Sequence, residues 1–172
     1  MAASAGCACM ETWRAIDAQP EAAREILRRA NGSSRWQDLM MARRPFGSAE
    51  ALQSLARSEW FSLAEDDWLE AFSHHPKIGD RASLEKRFPA THDLSSKEQA
   101  GVGSARTDVI DALADANEVY LERFGFIFIV CATGKTAEEM LKMLRDRLGN
   151  DRATELRIAA EEQAKITALR LR

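Results

Sequence analysis

The chain has 172 residues, 45% apolar and 30% charged, with a formal net charge of -3 at neutral pH and a sequence pI near 5.7. That is the size and mixture of one soluble domain that buries a core without staples, and it excludes a disordered polymer. No basic run carries interleaved aromatics, which points away from nucleic acid, and no apolar stretch approaches the roughly 20 residues of a membrane span. The opening MAASAGCACMETW lacks the basic-then-apolar order of a secretory signal, and the closing RLR is not a peroxisomal address. Residues 1–10 are expected to form a disordered tail, and residues 11–172 the folded domain. Cys7, Cys9 and Cys131 are an odd set, which argues against a disulfide framework and for a reducing cytoplasm. Cys7 and Cys9 have no second pair to complete a metal site.

Helical spacing dominates from there. Trp13, Ile16, Ala23, Ile26 and Leu27 define a helical segment over about Glu11 to Arg29. Pro20 divides it, and Asn31-Gly32 ends it. Ser34 is expected to cap a helix running from Arg35 to about Ala42, with Pro45 beyond its end. Ser48 opens another, with Ala51, Leu52 and Leu55 on one side. A short helix over residues 63 to 73 ends at His74-His75-Pro76, because the residue before a proline is pushed out of the α region. A polar loop follows, from Lys77 to about Leu94. Ser95-Ser96-Lys97-Glu98 has the capping-box form and starts the longest helix. Val102, Val109, Leu113, Ala116, Tyr120 and Phe124 recur along that helix, and Gly125 closes it. The unbroken apolar run FIFIVCA, Phe126 to Ala132, has strand-like composition but no partner strand, so it reads as a buried connector. Thr136 to Glu139 is a second capping box, opening a helix to Leu148. Asp151 caps the last helix, whose inward residues are Leu156, Ala159, Ile166 and Leu169. The fold class is therefore all-α, a single domain of about seven or eight helices.

Few residues in this pattern carry obvious chemistry. His75 has an unperturbed pKa near 6.5 and a backbone steadied by Pro76. It reads either as an acid/base group or as a solvated imidazole at a helix end. Glu98 serves a capping box equally well as it would serve proton transfer, and the same helix start offers free N–H groups to an anion. Zinc would need more ligands than His74, His75 and the distant His92 provide. Ala132-Thr133-Gly134-Lys135-Thr136 contains GKT, but a phosphate loop needs a glycine where Ile129 stands. Arg170 lies four residues beyond Ile166. It reads as a snorkelling side chain or as a clamp for a planar anion.

Five segments, taken together and in order, resemble one family. HHPKIGD resembles its HPxIG signature, and LSSKEQAGV its S-x-x-E-Q signature. FGFIFIVCATGKT resembles its apolar segment ending in C-A-x-G-K. RRANGSSRWQDLMMARRPF resembles its first third, and ELRIAAEEQAKITALRLR its closing helix. The family is 2-oxo-4-hydroxy-4-carboxy-5-ureidoimidazoline (OHCU) decarboxylase, which acts at the third step from urate to allantoin. The likeness runs from about Trp13 to Arg172. It implies an all-α carboxy-lyase, often dimeric, with no cofactor; the ligand spacing above likewise gives no metal. By the same likeness His75 and Glu98 are the catalytic histidine and glutamate, and Arg170 the functional arginine, with Arg157 and Arg172 nearby in the same segment. The implied substrate-binding residues are Pro76, Ser95, Ser96, Lys97 and Gln99, with Val130, Cys131, Ala132, Thr133 and Gly134 forming the rest of the pocket wall. A non-catalytic helical interaction module and a ureide hydrolase are the alternative readings of the chain.

Overall fold

A computed structural model describes residues 12–75 and 96–172, with residues 96–107 described by their backbone alone. The described residues form eight helices and no strand. They are α1 (Thr12–Ala18), α2 (Pro20–Ala30), α3 (Ser34–Ala42), α4 (Ala49–Phe61), α5 (Glu65–Ser73), α6 (Ser96–Phe124), α7 (Ala137–Arg147) and α8 (Arg152–Arg170). The all-α expectation therefore holds. The expected tail at residues 1–10 and the polar loop after the HHP turn lie outside the described residues.

The chain divides into two compact units. The first comprises residues up to Ala71 together with Ala164–Arg172, and the second runs from Phe72 to Gln163.

In the first unit α1 packs on α2 and α4, α2 on α3, and α3 on α4. Pro20 sits at the start of α2, where its missing N–H costs nothing. The core holds Ile16, Leu27, Trp36, Met40, Leu52 and Trp60. Trp36 Nε1 donates to Ala56 O at 3.0 Å, and the half-buried Trp68 donates its Nε1–H to Trp60 O at 2.9 Å. Asp17 secures the RPFG turn after α3, its carboxylate accepting the N–H groups of Phe46 and Gly47 at 2.9 Å. Gly47 takes φ 76°, which a side chain disfavours.

One helix start differs from expectation. The N-cap of α3 is Ser33, whose Oγ accepts Trp36 N–H at 3.2 Å. Ser34 is the first helical residue, and its N–H and hydroxyl both donate to Glu70. Two adjacent serines offer the same local signal, and Glu70 decides between them from 36 residues away. Ser48, Thr136 and Asp151 cap α4, α7 and α8 as read from the sequence.

In the second unit α6 packs on α7. Gly125 closes α6 with φ 79°, its N–H donating to Leu121 O at 2.8 Å. The FIFIVCA run is a buried connector, as expected, with Phe128, Ile129 and Val130 almost wholly enclosed. Its rings gather around α6: Tyr120 lies 4.7 Å from Phe124 and 5.3 Å from Phe128 between centroids, and Phe72 lies 5.6 Å from Phe126.

Candidate active site

The second unit holds the histidine singled out by the sequence. Beyond the last residue of α5, His75 N–H donates to Phe72 O at 3.1 Å, a final turn that fixes where the ring starts. His74 is exposed, whereas His75 is half-buried. The Nε2 atom of His75 lies 2.5 Å from Gln163 Oε1, across 88 residues of sequence. Gln163 is on α8 and is fully buried. A buried amide at that distance restricts both the tilt of the imidazole and the choice of its protonated nitrogen.

The residue before Gln163 holds a second segment. Glu162 Oε2 accepts the backbone N–H of Cys131 at 2.7 Å. Two further bonds fix the same stretch of connector: Arg147 Nη1 donates to Ile129 O at 2.8 Å, and Lys135 Nζ donates to Cys131 O at 2.7 Å. Consecutive residues of one helix thus hold His75 and Cys131. Beyond them the chain turns outward. Thr133 and Gly134 are exposed, and Gly134 takes φ 74° to make the turn into α7. Lys135 is turned back onto Cys131 O and does not project toward a phosphate. The GKT run is a helix-entry turn.

Arg147 has a buried support of its own. Its Nε and Nη2 lie 2.6 and 2.5 Å from Glu155 Oε1. Glu155 also accepts from Asn150 Nδ2 at 2.7 Å and from the hydroxyl of Tyr120. The guanidinium lies 4.6 Å from the Phe128 centroid. Burial pushes the Tyr120 hydroxyl far above its ordinary pKa, so it stays a donor at every working pH. Removing two charges from water is costly unless every donor and acceptor is matched, and here they are closely matched.

The remaining expected site residues fall as follows. Ser96, Lys97, Glu98 and Gln99 occupy the first turn of α6, which is described by its backbone alone. Pro76 and Ser95 lie outside the described residues. Arg170 belongs to the first unit. Its Nη1 donates to Arg29 O at 3.1 Å and Ala30 O at 3.4 Å, closing the end of α2. Burial lowers its pKa, though an arginine so shifted remains charged.

Reading the sequence for apolar spacing missed Glu155, Glu162, Gln163 and Thr167. All four lie on the buried side of α8, beside Leu156, Ala159 and Ala160. Their signal was present: polar residues at helical spacing within an otherwise apolar stripe need buried partners.

The fold and this frame define a class, a helical protein in which an imidazole is held by a buried amide and the next residue of the same helix holds a buried connector. The sequence pattern of OHCU decarboxylase matches residues 17–172. The chain is 40% identical over 141 residues to the uric acid degradation bifunctional protein TTL of Arabidopsis thaliana, covering 81% of this chain and 43% of that protein. It is 41% identical over 99 residues to 2-oxo-4-hydroxy-4-carboxy-5-ureidoimidazoline decarboxylase of Amia calva, covering 56% of this chain and 55% of the relative. A crystal structure of OHCU decarboxylase in the presence of (S)-allantoin superposes with a TM-score of 0.70 at 38% identity, over 86% of this chain and 94% of that one. The chain belongs to the OHCU decarboxylase family. It spans about half the length of the two curated relatives named above.

Proposed function

We propose that this chain decarboxylates 2-oxo-4-hydroxy-4-carboxy-5-ureidoimidazoline to (S)-allantoin and CO2 in urate degradation, without a cofactor. The observation that carries this reading is the family match over residues 17–172, which takes in His75 and every other expected site residue. The chemistry agrees with it. C4 of the substrate bears the hydroxyl and the departing carboxylate, and C5 is part of a C=N bond. When the C4–carboxylate bond breaks, its electron pair forms C4=C5 and the C=N pair moves onto nitrogen, which takes a proton. The C4 hydroxyl then gives up its proton as C4=O forms, and C5 gains one. The net change is loss of CO2 and uptake of one proton by the carboxylate form. The substrate supplies its own electron sink.

In this reading His75 handles the hydroxyl proton. Glu98, in the first turn of α6, pairs with it or holds the ring and ureido N–H groups. Arg170 neutralises the substrate's negative charge. Pro76, Ser95, Ser96, Lys97 and Gln99 contact the substrate, and the backbone from Val130 to Gly134 offers the ureido group donors and acceptors. The bonds of Cys131 to Glu162 and of Ile129 to Arg147 support that last role, because they hold the wall in one conformation. The protein acts in the cytoplasm as a homodimer on this reading. Among the described residues no helix is long and apolar enough to cross a membrane.

The test is substrate made in situ from urate, with CO2 and ammonia both followed. Fast release of CO2, reduced at least about 100- to 10,000-fold in His75→Ala with the helical content retained, is the expected result. Ammonia release would favour a ureide hydrolase, and no acceleration at all a non-catalytic helical module.

A further inference from the structure

We infer that Gln163 is the positioning residue of His75: its buried amide oxygen holds the ring in the Nε2–H tautomer, so that Nδ1 is the basic nitrogen of the neutral imidazole. This rests on the proposed decarboxylation for its consequence, but the tautomer itself does not depend on the activity. Three features carry it. Gln163 Oε1 faces Nε2 at 2.5 Å, and an amide oxygen only accepts. Gln163 has no exposed surface, so water does not compete for that bond. Its neighbour Glu162 is bound to Cys131 N–H at 2.7 Å, which sets the rotation of this turn of α8 and hence the direction in which Gln163 points.

A neutral acceptor suits a proton-transfer group. A carboxylate in the same place would stabilise imidazolium and bias the ring toward its charged form. A carbonyl accepts the Nε2–H bond in both forms. When Nδ1 takes the hydroxyl proton, the Nε2–H bond to Gln163 persists, and the ring need not turn. The orienting partner of a working histidine ordinarily sets its tautomer in this way, and losing it leaves the group present but misdirected.

The experiment is a two-bond proton–nitrogen correlation spectrum of the 15N-labelled full chain, at a pH where the ring is neutral, with the His75 signals identified by their loss in His75→Gln. The expected pattern is a protonated Nε2 and an unprotonated Nδ1. In Gln163→Leu that preference should collapse, and kcat should fall about 10- to 100-fold while KM moves by less than about twofold. Gln163→Glu keeps an acceptor, so Nε2 should stay protonated whether or not Nδ1 is protonated as well. A protonated Nδ1 in the unaltered chain overturns the inference, as does an unchanged spectrum in Gln163→Leu. Should Gln163→Leu not fold, the spectra of the unaltered chain and Gln163→Glu decide alone: Nε2–H in both supports the inference, and its absence in either overturns it. If the expected pattern is found in a chain that releases no CO2, the tautomer assignment stands and the proposed function falls.

Discussion

Arg147 and Glu155 in the second unit, and Asn31 and Thr167 in the first, are all buried polar residues, yet the two clusters are built from different materials. The Asn31–Thr167 cluster uses neutral groups. Asn31 Nδ2 donates to Thr167 Oγ1 at 3.2 Å, its Oδ1 accepts Ser33 N–H at 3.0 Å, and its own carbonyl accepts from Gln37 at 3.0 Å. Those bonds shape the short passage between α2 and α3. The Arg147–Glu155 cluster uses opposite charges, with Tyr120 and Asn150 also donating to Glu155. A neutral cluster needs only its hydrogen bonds to be made. A charged one must also repay desolvation, so it is unforgiving of any lost member. The charged cluster is the one that reaches, through Arg147 Nη1, the connector at Ile129, next to the stretch proposed to bind substrate.

The largest stability effect should therefore come from Arg147→Met. Glu155 would be left charged and enclosed, and denaturant unfolding should show a loss of about 3 to 5 kcal/mol. The double variant Arg147→Met/Glu155→Leu should recover much of it, since neither charge remains. A single variant within 1 kcal/mol of the parent would remove the contrast between the two clusters. Asn31→Ala should cost less, about 1 to 3 kcal/mol, because what it strands is polar but uncharged. Tyr120→Phe keeps both charges and their direct contact, so about 1 kcal/mol is expected. A larger loss would show that the hydroxyl is integral to the ion pair.

Much of this could be read in advance, and the reason is local. Pro20, Ser48, Thr136, Gly125 and Asp151 each act through neighbours within four residues, so their meaning is written beside them. His75 was legible because a proline follows it and because a family pattern contains it. Gln163 was not, since its partner stands 88 positions away. Ser33 and Ser34 were exchanged for the same cause, a distant carboxylate at Glu70. The polar face of α8 was passed over because apolar spacing alone was used to choose its inward side. A glutamate in such a stripe suggests a snorkelling surface residue until its arginine is found eight residues earlier.

The smallest expected effect tests the exposed counterpart of these buried groups. Asp151 caps α8, and its hydrogen bonds from Thr154 hold its carboxyl below the ordinary value of 3.8. A lowered folded pKa contributes stability that is complete above the unfolded value and is lost as pH falls through the folded one. Asp151→Asn should accordingly lower stability slightly at neutral pH, where the contribution is fully present, and flatten the acid limb of the stability curve below about pH 4, where variant and parent should converge. An unaltered acid limb would assign that loss to other carboxylates.

The central claim is that this chain performs a histidine-dependent, one-handed decarboxylation, and circular dichroism of the product tests it most directly. Substrate generated in situ from urate should give a rapid optical signal of (S)-allantoin on addition of the protein, with that signal lost in His75→Ala. Racemic product, forming no faster than by spontaneous decay, would contradict the account.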